Sequence, residues 1–157
     1  MKKLISVFLV MLILLSFPLI SYGNDTQITE YTNSDIEYYD DGSYSITTIE
    51  TSSISTLATS TVKQTKTTSH YNSKDEKAWD ITVTGIFNFT GSSATCTNST
   101  VSYKIYDTHW KVTSAQASKS GRTAKGEFTL KRYFVGIPTK TVNETLTLTC
   151  SNTGVCS

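Results

Sequence analysis

Helix-forming residues are scarce in most of this chain. Residues 24–157 contain no Met and few Leu or Ala, whereas Ser and Thr make up about a third of them. This composition disfavours helices and suits strands, because Thr, Val, Ile, Tyr and Phe pack well on a pleated surface. We therefore predict an all-β fold.

The sequence also lacks an excess of charge of either sign. Without Lys2 and Lys3, which lie in the N-terminal segment discussed next, the 14 Lys and Arg fall to 12, against 13 Asp and Glu. A chain with a net charge near zero has no strong field with which to attract nucleic acid or an anionic membrane. We predict no nucleic-acid partner.

Long apolar runs are missing except at the N-terminus. Lys2 and Lys3 precede an apolar run over residues 4–20, and Ser21 and Gly23 then provide small residues at the positions that signal peptidase requires. A membrane anchor is the alternative, since roughly 17 apolar residues can span a bilayer. Pro18 and the absence of a following cationic cluster favour a signal peptide over residues 1–23, secretion, and no stable membrane anchor.

The N-terminal part of the exported chain, residues 24–60, is poor in large aliphatic residues. Its strongest local pattern is the turn Asp40-Asp41-Gly42 between two short alternating segments. A Gly after Asp supplies the positive φ angle of a tight hairpin turn. We predict a hairpin there, followed over residues 51–60 by a Ser- and Thr-rich linker.

Residues 61–157 carry the alternation expected of half-buried strands. Apolar residues recur at every second position through Trp79 to Phe89, with Gly85 marking a bulge or bend, and a phase slip near Asn98 indicates a second bulge. Turn signals such as Gly121 separate further alternating strands. We predict an antiparallel β-sandwich with Trp79, Phe87, Phe128 and Leu146 in its core.

Cysteines are few, and their number is odd. Cys96 and Cys150 fall on core-facing strand positions, and a disulfide between them would stabilise by roughly 4 kcal/mol on the loop-entropy model, about twice the value for Cys150 with Cys156. We predict the pair Cys96 and Cys150. Cys156 then remains a free thiol, which would permit a covalent dimer, although an inert thiol near the end of the chain is the simpler alternative.

The order of Cys96, Trp110 and Cys150 matches a known framework. Trp110 lies between the two cysteines, as the core tryptophan does in the Cys, Trp, Cys framework of immunoglobulin domains. Leu148 stands where the tyrosine corner of that framework would place Tyr. We predict an immunoglobulin-like sandwich with an altered strand order.

Four motifs lie in the second half of the chain. They are Trp79-Asp80-Ile81-Thr82-Val83-Thr84-Gly85-Ile86-Phe87-Asn88-Phe89, Ala94-Thr95-Cys96, Trp110-Lys111-Val112 and Leu148-Thr149-Cys150-Ser151-Asn152. With these motifs, about half the chain resembles a group of small secreted proteins of Gram-positive, largely clostridial, bacteria whose activity is uncharacterised. The resemblance implies a bacterial source and a β fold, and no mechanism.

Residues that could carry catalysis or bind metal are sparse. His70 and His109 are the two histidines, and Asp107 could orient His109, but no Gly-x-Ser-x-Gly nucleophile motif is present. No Cys or His spacing suits zinc, and the acidic residues near Asp40 do not match the twelve-residue calcium loop. We predict a protein that is not an enzyme and needs no cofactor or metal.

Tyrosines are the remaining feature. Tyr38, Tyr39 and Tyr44 gather in the N-terminal hairpin, where exposed aromatic rings would suit a surface that binds a protein or a glycan. Cross-strand pairing that merely stabilises the hairpin is the alternative. We predict a secreted, noncatalytic binding domain for an extracellular macromolecule.

A second hypothesis is a secreted toxin or antimicrobial protein that acts on membranes. Residues 47–69 resemble the Ser- and Thr-rich hairpins of pore-forming proteins. Membrane-inserted strands need one apolar face, however. The apolar residues Ile49, Ile54, Leu57 and Val62 do not keep one parity, which weighs against this hypothesis.

Overall fold

The computed structural model describes residues 29–55 and 60–157, with side chains described for residues 34–52 and 60–157. These residues form eight strands and no helix, which confirms the all-β prediction. The strands are β1 (Thr29–Tyr38), β2 (Tyr44–Ser55), β3 (Ser60–Tyr71), β4 (Lys77–Phe89), β5 (Ala94–Ile105), β6 (Trp110–Ser120), β7 (Thr123–Phe134) and β8 (Ile137–Thr149). The predicted signal peptide, residues 1–23, lies outside the described residues.

The strands form two antiparallel sheets whose order follows the sequence. One sheet has the order β1-β2-β3-β4-β5 and the other the order β6-β7-β8. Every described strand within a sheet therefore pairs with its neighbour in the chain. Alternate turns consequently lie at the same end of the molecule.

The two sheets pack face to face around one apolar core. Its largest fully buried side chains come from β4 and from β7 and β8, and the predicted core residues Trp79, Phe87, Phe128 and Leu146 are all buried. Gly85 lies at the contact between the sheets, where a Cβ atom would meet the Phe87 ring and approach the Ala124 Cβ to 2.9 Å. The predicted bulge near Asn98 is confirmed, because Ile86 pairs with Asn98 and Phe87 with Cys96.

The sheets differ in width, and this difference leaves part of the larger sheet uncovered. Strands β6, β7 and β8 pack on β3, β4 and β5, so β1 and β2 extend past the described part of the smaller sheet. The inner face near this edge is polar. Its buried side chains include Ser45, Gln64, Thr68 and His70.

The predicted linker is a strand over the part that the structure describes. Residues 51–55 belong to β2, which pairs with β3 as far as Ser55 opposite Ser60; residues 56–59 lie outside the described residues. A linker was expected because this segment has too few apolar residues to bury a face. Backbone pairing does not need them, and Gln64 donates a side-chain hydrogen bond to Thr51 at 2.6 Å. The domain boundary predicted at residue 60 thus falls inside one sheet.

The predicted disulfide is wrong. Cys150 is bonded to Cys156, and Cys96 is a buried free thiol. A tight turn produces this pairing: Ser151 N donates to Val155 O at 2.7 Å, and Gly154 takes a φ of 85°, which returns the chain alongside Cys150. Loop entropy favours the longer Cys96 to Cys150 loop, but it takes no account of the turn that brings Cys156 to Cys150. Cys156 is therefore not a free thiol, and a dimer through it would require this disulfide to open.

The immunoglobulin framework is not reproduced either. In that framework the disulfide joins the two sheets and the strand order interleaves distant strands. Here the disulfide closes a turn after β8, and the strand order is sequential. Trp110 is buried as expected, but it begins β6.

Candidate functional site

Three turns and the neighbouring ends of β7 and β8 enclose an open cleft of about 750 Å³ at one end of the molecule. The turns follow β1, β3 and β5, and β7 and β8 supply Arg132 and Lys140. The sequential strand order explains the cleft, because it places every second turn at this end. Binding sites are commonly built from turns held on a rigid sheet. We call this space the end cleft.

Side-chain hydrogen bonds fix the turns around the end cleft. Asn72 Oδ1 accepts from the backbone N–H groups of Lys74 and Glu76 at 2.9 and 3.1 Å. Asp107 Oδ1 accepts from the backbone N–H of His109 at 2.9 Å. Such Asx-type bonds restrain a turn without help from a ligand. The rim of the cleft is therefore largely preorganised.

An ion pair joins the two sheets across the end cleft. Lys140 Nζ on β8 lies 3.0 Å from Asp41 Oδ2 in the turn after β1. Hydrogen bonds from Ser43, together with Lys140, hold the pKa of Asp41 well below its usual range. Both side chains are exposed, so the pair contributes little to stability and serves mainly to set the shape of the cleft.

The two histidines occupy different environments in the end cleft. His109 is exposed, and its Nδ1 lies 2.6 Å from Asp107 Oδ1. Burial acts to raise the pKa of Asp107, but the hydrogen bonds from His109 outweigh it and lower that pKa. Among the described residues, no hydroxyl or thiol is hydrogen-bonded to the His109 ring, so this pair lacks the nucleophile of a hydrolytic triad.

His70 is buried, although polar residues surround it in the sequence. Its ring stacks on Trp79 with centroids 4.8 Å apart, and Trp110 and Tyr39 pack at 6.0 and 5.7 Å. Ser45 Oγ lies 3.0 Å from its Nδ1. Burial, reinforced by the charge of Lys140, lowers the pKa of His70 to about 4. The imidazole is therefore neutral at pH 7.

A signal for the burial of His70 was present in the sequence. In β3 the residues Val62, Gln64, Thr68 and His70 share one parity, and all four are buried. Because three of them are polar, hydrophobic alternation alone could not identify this face.

The predicted tyrosines divide between two faces of the five-stranded sheet. Tyr38, Tyr44 and Tyr71 are aligned across β1, β2 and β3, with ring centroids 5.7 and 5.0 Å apart. Tyr39 instead faces His70. The predicted binding surface of Tyr38, Tyr39 and Tyr44 is thus not a single surface.

The aligned tyrosines continue towards the end cleft. Lys77 pairs with Tyr71, and its Nζ lies 5.6 Å from the Tyr71 ring centroid and 5.4 Å from that of Tyr106. Tyr106 and Lys77 also line the end cleft. We call Tyr38, Tyr44, Tyr71 and Tyr106, with Lys77 between the last two, the tyrosine row. Because Tyr44 and Tyr71 stack face to face, they cover each other's ring faces.

The described ranges contain neither a metal-binding cluster nor a membrane-spanning helix. In residues 29–55 and 60–157, no three His, Cys, Asp or Glu side chains lie together in a way that could hold a metal ion. The same ranges contain no helix that is long and apolar enough to cross a membrane.

Comparison with known protein families, with curated proteins and with solved structures found no match to this chain.

Proposed function

We propose that this chain is a secreted, noncatalytic binding protein that recognises an extracellular macromolecule through the end cleft and the adjoining tyrosine row. The observation that carries the proposal is the cleft of about 750 Å³ formed by three turns and the ends of β7 and β8. Its volume lies within the roughly 300–1,000 Å³ typical of ligand sites. The tyrosine row adds an exposed surface that leads directly into it.

Several features support the extracellular part of the proposal. The sequence of residues 1–23 has the pattern of a signal peptide, and disulfides such as Cys150–Cys156 are typical of oxidising compartments. The two packed sheets support a sandwich architecture, which many extracellular recognition domains share. The resemblance to secreted clostridial proteins supports a bacterial source. Intact mass of the protein recovered from culture medium should show a chain that begins at Asn24.

Binding without turnover is supported by the arrangement of the polar groups. His109 is exposed, and its pair with Asp107 has no nucleophile bonded to it in the part of the chain that the structure describes. Ser45, which does contact a histidine, is buried and also lies 3.2 Å from the Tyr39 hydroxyl. Its hydroxyl is therefore placed for a structural hydrogen-bond network.

A sedimentation assay with insoluble material tests the proposal. Purified secreted protein is mixed with bacterial peptidoglycan, chitin, cellulose or mucin beads, and the bound fraction is measured. We expect Arg132→Gln, at the end cleft, to reduce binding to the retained material about tenfold or more, because hydrogen bonds to charged groups are worth about 1.5–3 kcal/mol. Arg122→Gln, at the opposite end of the molecule, is the matched control.

The tyrosine row is tested in the same assay. Tyr38 is 75% exposed, so Tyr38→Ser should leave folding intact while weakening binding. Tyr103 is an exposed tyrosine outside the row, and Tyr103→Ser should bind like the unmodified protein. Equal binding by all four variants would exclude both the cleft and the row as the recognition surface.

No observation favours the membrane-acting alternative as a second proposal. Both faces of the β2–β3 hairpin carry polar side chains in the described residues. One face includes Thr48, Glu50 and Lys63, and the other includes Gln64 and Thr68. A strand inserted in a bilayer needs a continuous apolar face.

A further inference from the structure

A second, smaller pocket opens behind the end cleft, between the two sheets. It has a volume of about 90 Å³ and is lined by Tyr39, His70, Trp79, Lys140, Val142 and Glu144. His70 and Lys140 line both spaces, so the pocket adjoins the cleft. We call it the inner pocket. It could hold about three water molecules at about 30 Å³ each, or one small polar group of a larger ligand.

Glu144 places a carboxyl group where the strand pattern calls for an apolar side chain. It shares its parity in β8 with Val142, Leu146 and Leu148, which face the core. Burial, together with the negative charge of Glu37, raises the pKa of Glu144. No residue with a described side chain forms a salt bridge or hydrogen bond with the Glu144 carboxyl group. The Glu144 side chain is half-buried, and a carboxylate that is partly withdrawn from water is stabilised by a cation or a hydrogen-bond donor.

Trp79, whose side chain lines the inner pocket, carries an unpartnered polar group that is closed to solvent. Trp79 is 1% exposed, and its indole N–H has no hydrogen-bond partner in the described part of the chain. A buried donor without an acceptor costs roughly 1–3 kcal/mol. Because its nitrogen is closed to solvent, Trp79 offers the pocket ring surface and no free donor, whereas Glu144 supplies an acidic group that lacks a cation.

The remaining lining residues favour an ammonium group over a metal ion. The rings of Tyr39, His70 and Trp79 contribute aromatic surface, which attracts organic cations. Calcium would need six to eight oxygen ligands, which this lining does not supply. Lys140 is held by Asp41 at 3.0 Å at the mouth of the pocket, and His70 is neutral at pH 7, so neither offsets the charge of Glu144 from within.

We propose that the inner pocket binds the ammonium group of an amino sugar whose glycan chain lies in the end cleft. Glu144 would accept hydrogen bonds from the ammonium group, and the aromatic rings that line the pocket would lie against it. A glycan suits the rim, because polar groups such as Asn72, Asp107 and Arg132 can pair with its hydroxyl groups. This inference rests on the proposed binding function and names its ligand class.

Calorimetric titration of the secreted protein with a glucosamine tetramer tests the inference, at about pH 6 so that the amines are largely protonated. The N-acetylated tetramer is the matched ligand, since acetylation removes the positive charge. We expect the glucosamine tetramer to bind about tenfold or more tightly than the acetylated form, as loss of a charge-assisted hydrogen bond implies.

Glu144→Gln should remove this preference, while Glu127→Gln, an exposed carboxylate on β7, should retain it. Glu144→Gln relieves the burial of a charge, so the variant should fold, and thermal unfolding checks this. Equal affinity for the two tetramers, no binding of either, or an unchanged preference in Glu144→Gln would overturn the inference.

Tighter binding of trialanine, which carries a free amino terminus, would assign the pocket to peptides and overturn the glycan assignment.

Failure of the inner-pocket inference can be distinguished from failure of the proposed function. If the glucosamine tetramer does not bind but Arg132→Gln still loses binding in the sedimentation assay, only the inner-pocket inference is wrong. If Arg132→Gln and Tyr38→Ser bind every material like their controls, the proposed recognition surface is wrong as well.

Discussion

Individual buried residues near the open edge of the larger sheet are polar, and His70 is the one whose titration should affect stability. Its pKa is lowered to about 4 in the folded protein, against about 6.5 in the unfolded chain. The unfolded state therefore binds more protons between these values. Stability contributed by neutral His70 is full above about pH 6.5 and is lost as the pH falls towards about 4.

We predict that the free energy of unfolding decreases by about 2–3 kcal/mol between about pH 6.5 and pH 4 through His70. The measurement is urea denaturation across this range, compared with His70→Gln, in which the slope should flatten. Glu144 acts in the opposite direction, because its raised pKa makes protonation favour the folded state. The same denaturation series in Glu144→Gln separates the contributions of His70 and Glu144 to the pH dependence. If the free energy of unfolding depended on pH in the same way in His70→Gln and in the unmodified protein, the prediction would be contradicted.

The apolar core depends on individual large side chains such as Phe128. Phe128 is 2% exposed and packs between the sheets, whereas Phe134, at the end of the same strand, is 67% exposed. Phe128→Ala should reduce the free energy of unfolding by about 3–5 kcal/mol, as is typical of buried Phe. Phe134→Ala is the matched control and should change it by less than about 1 kcal/mol. Chemical denaturation measures both, and equal losses would show that the core is misassigned.

Strands with apolar alternation could be predicted from the sequence, and strands without it could not. The pattern from Trp79 to Phe89 and the turn at Asp40-Asp41-Gly42 both identified real elements, because burial and turn geometry act on neighbouring residues. Residues 51–55 were missed because they are held by pairing with β3, a long-range interaction that leaves no hydrophobic period. The end cleft was missed for a similar reason, since it depends on turns far apart in sequence.

The cysteine pairing is a case in which local geometry overrides loop entropy. Trypsin should release residues 141–157 after Lys140 as one peptide containing both Cys150 and Cys156. We predict that, without reduction, this peptide is lighter by two hydrogens and carries no link to the peptide with Cys96. Mass spectrometry after alkylation of free thiols should find the label on Cys96 alone. A cross-linked pair of peptides would restore the Cys96 and Cys150 assignment.

The disulfide should contribute modestly to stability. It closes a loop with a sequence separation of 6, for which the entropy model gives about 2 kcal/mol. A variant with both Cys150→Ser and Cys156→Ser should therefore unfold at lower denaturant concentration but still cooperatively. Cys96→Ala leaves the disulfide in place and separates the loss of a buried thiol from the loss of the bond.

At the scale of the whole molecule, the unequal width of the two sheets determines where polar groups gather. The apolar core fills the space where both sheets overlap, and the inner face near β2 and β3 carries Ser45, Thr68 and His70 instead. Ion pairing between Asp41 and Lys140 joins the uncovered edge to the smaller sheet. The candidate binding spaces therefore lie beside the overlap, where the sheet edges leave room for a ligand.

This arrangement predicts that the N-terminal hairpin is part of the folding unit. Strand β2 pairs with β3 along its length, and Ser43 and Ser45 from the hairpin are buried. Deletion of residues 24–55 would expose one edge of β3 and remove the groups that cover His70, including Tyr39 and Ser45.

We expect that deletion to lower the thermal midpoint by more than about 10 °C or to abolish cooperative unfolding. Each kcal/mol of stability that is lost lowers the midpoint of a domain of this size by several degrees. Differential scanning calorimetry measures the transition. Tyr38→Ser is the control, because it alters the same hairpin at a side chain that is 75% exposed and should leave the midpoint nearly unchanged. If the deletion preserved the transition, the hairpin would be an independent recognition element, and the polar inner face of β3 would not need β2 to cover it.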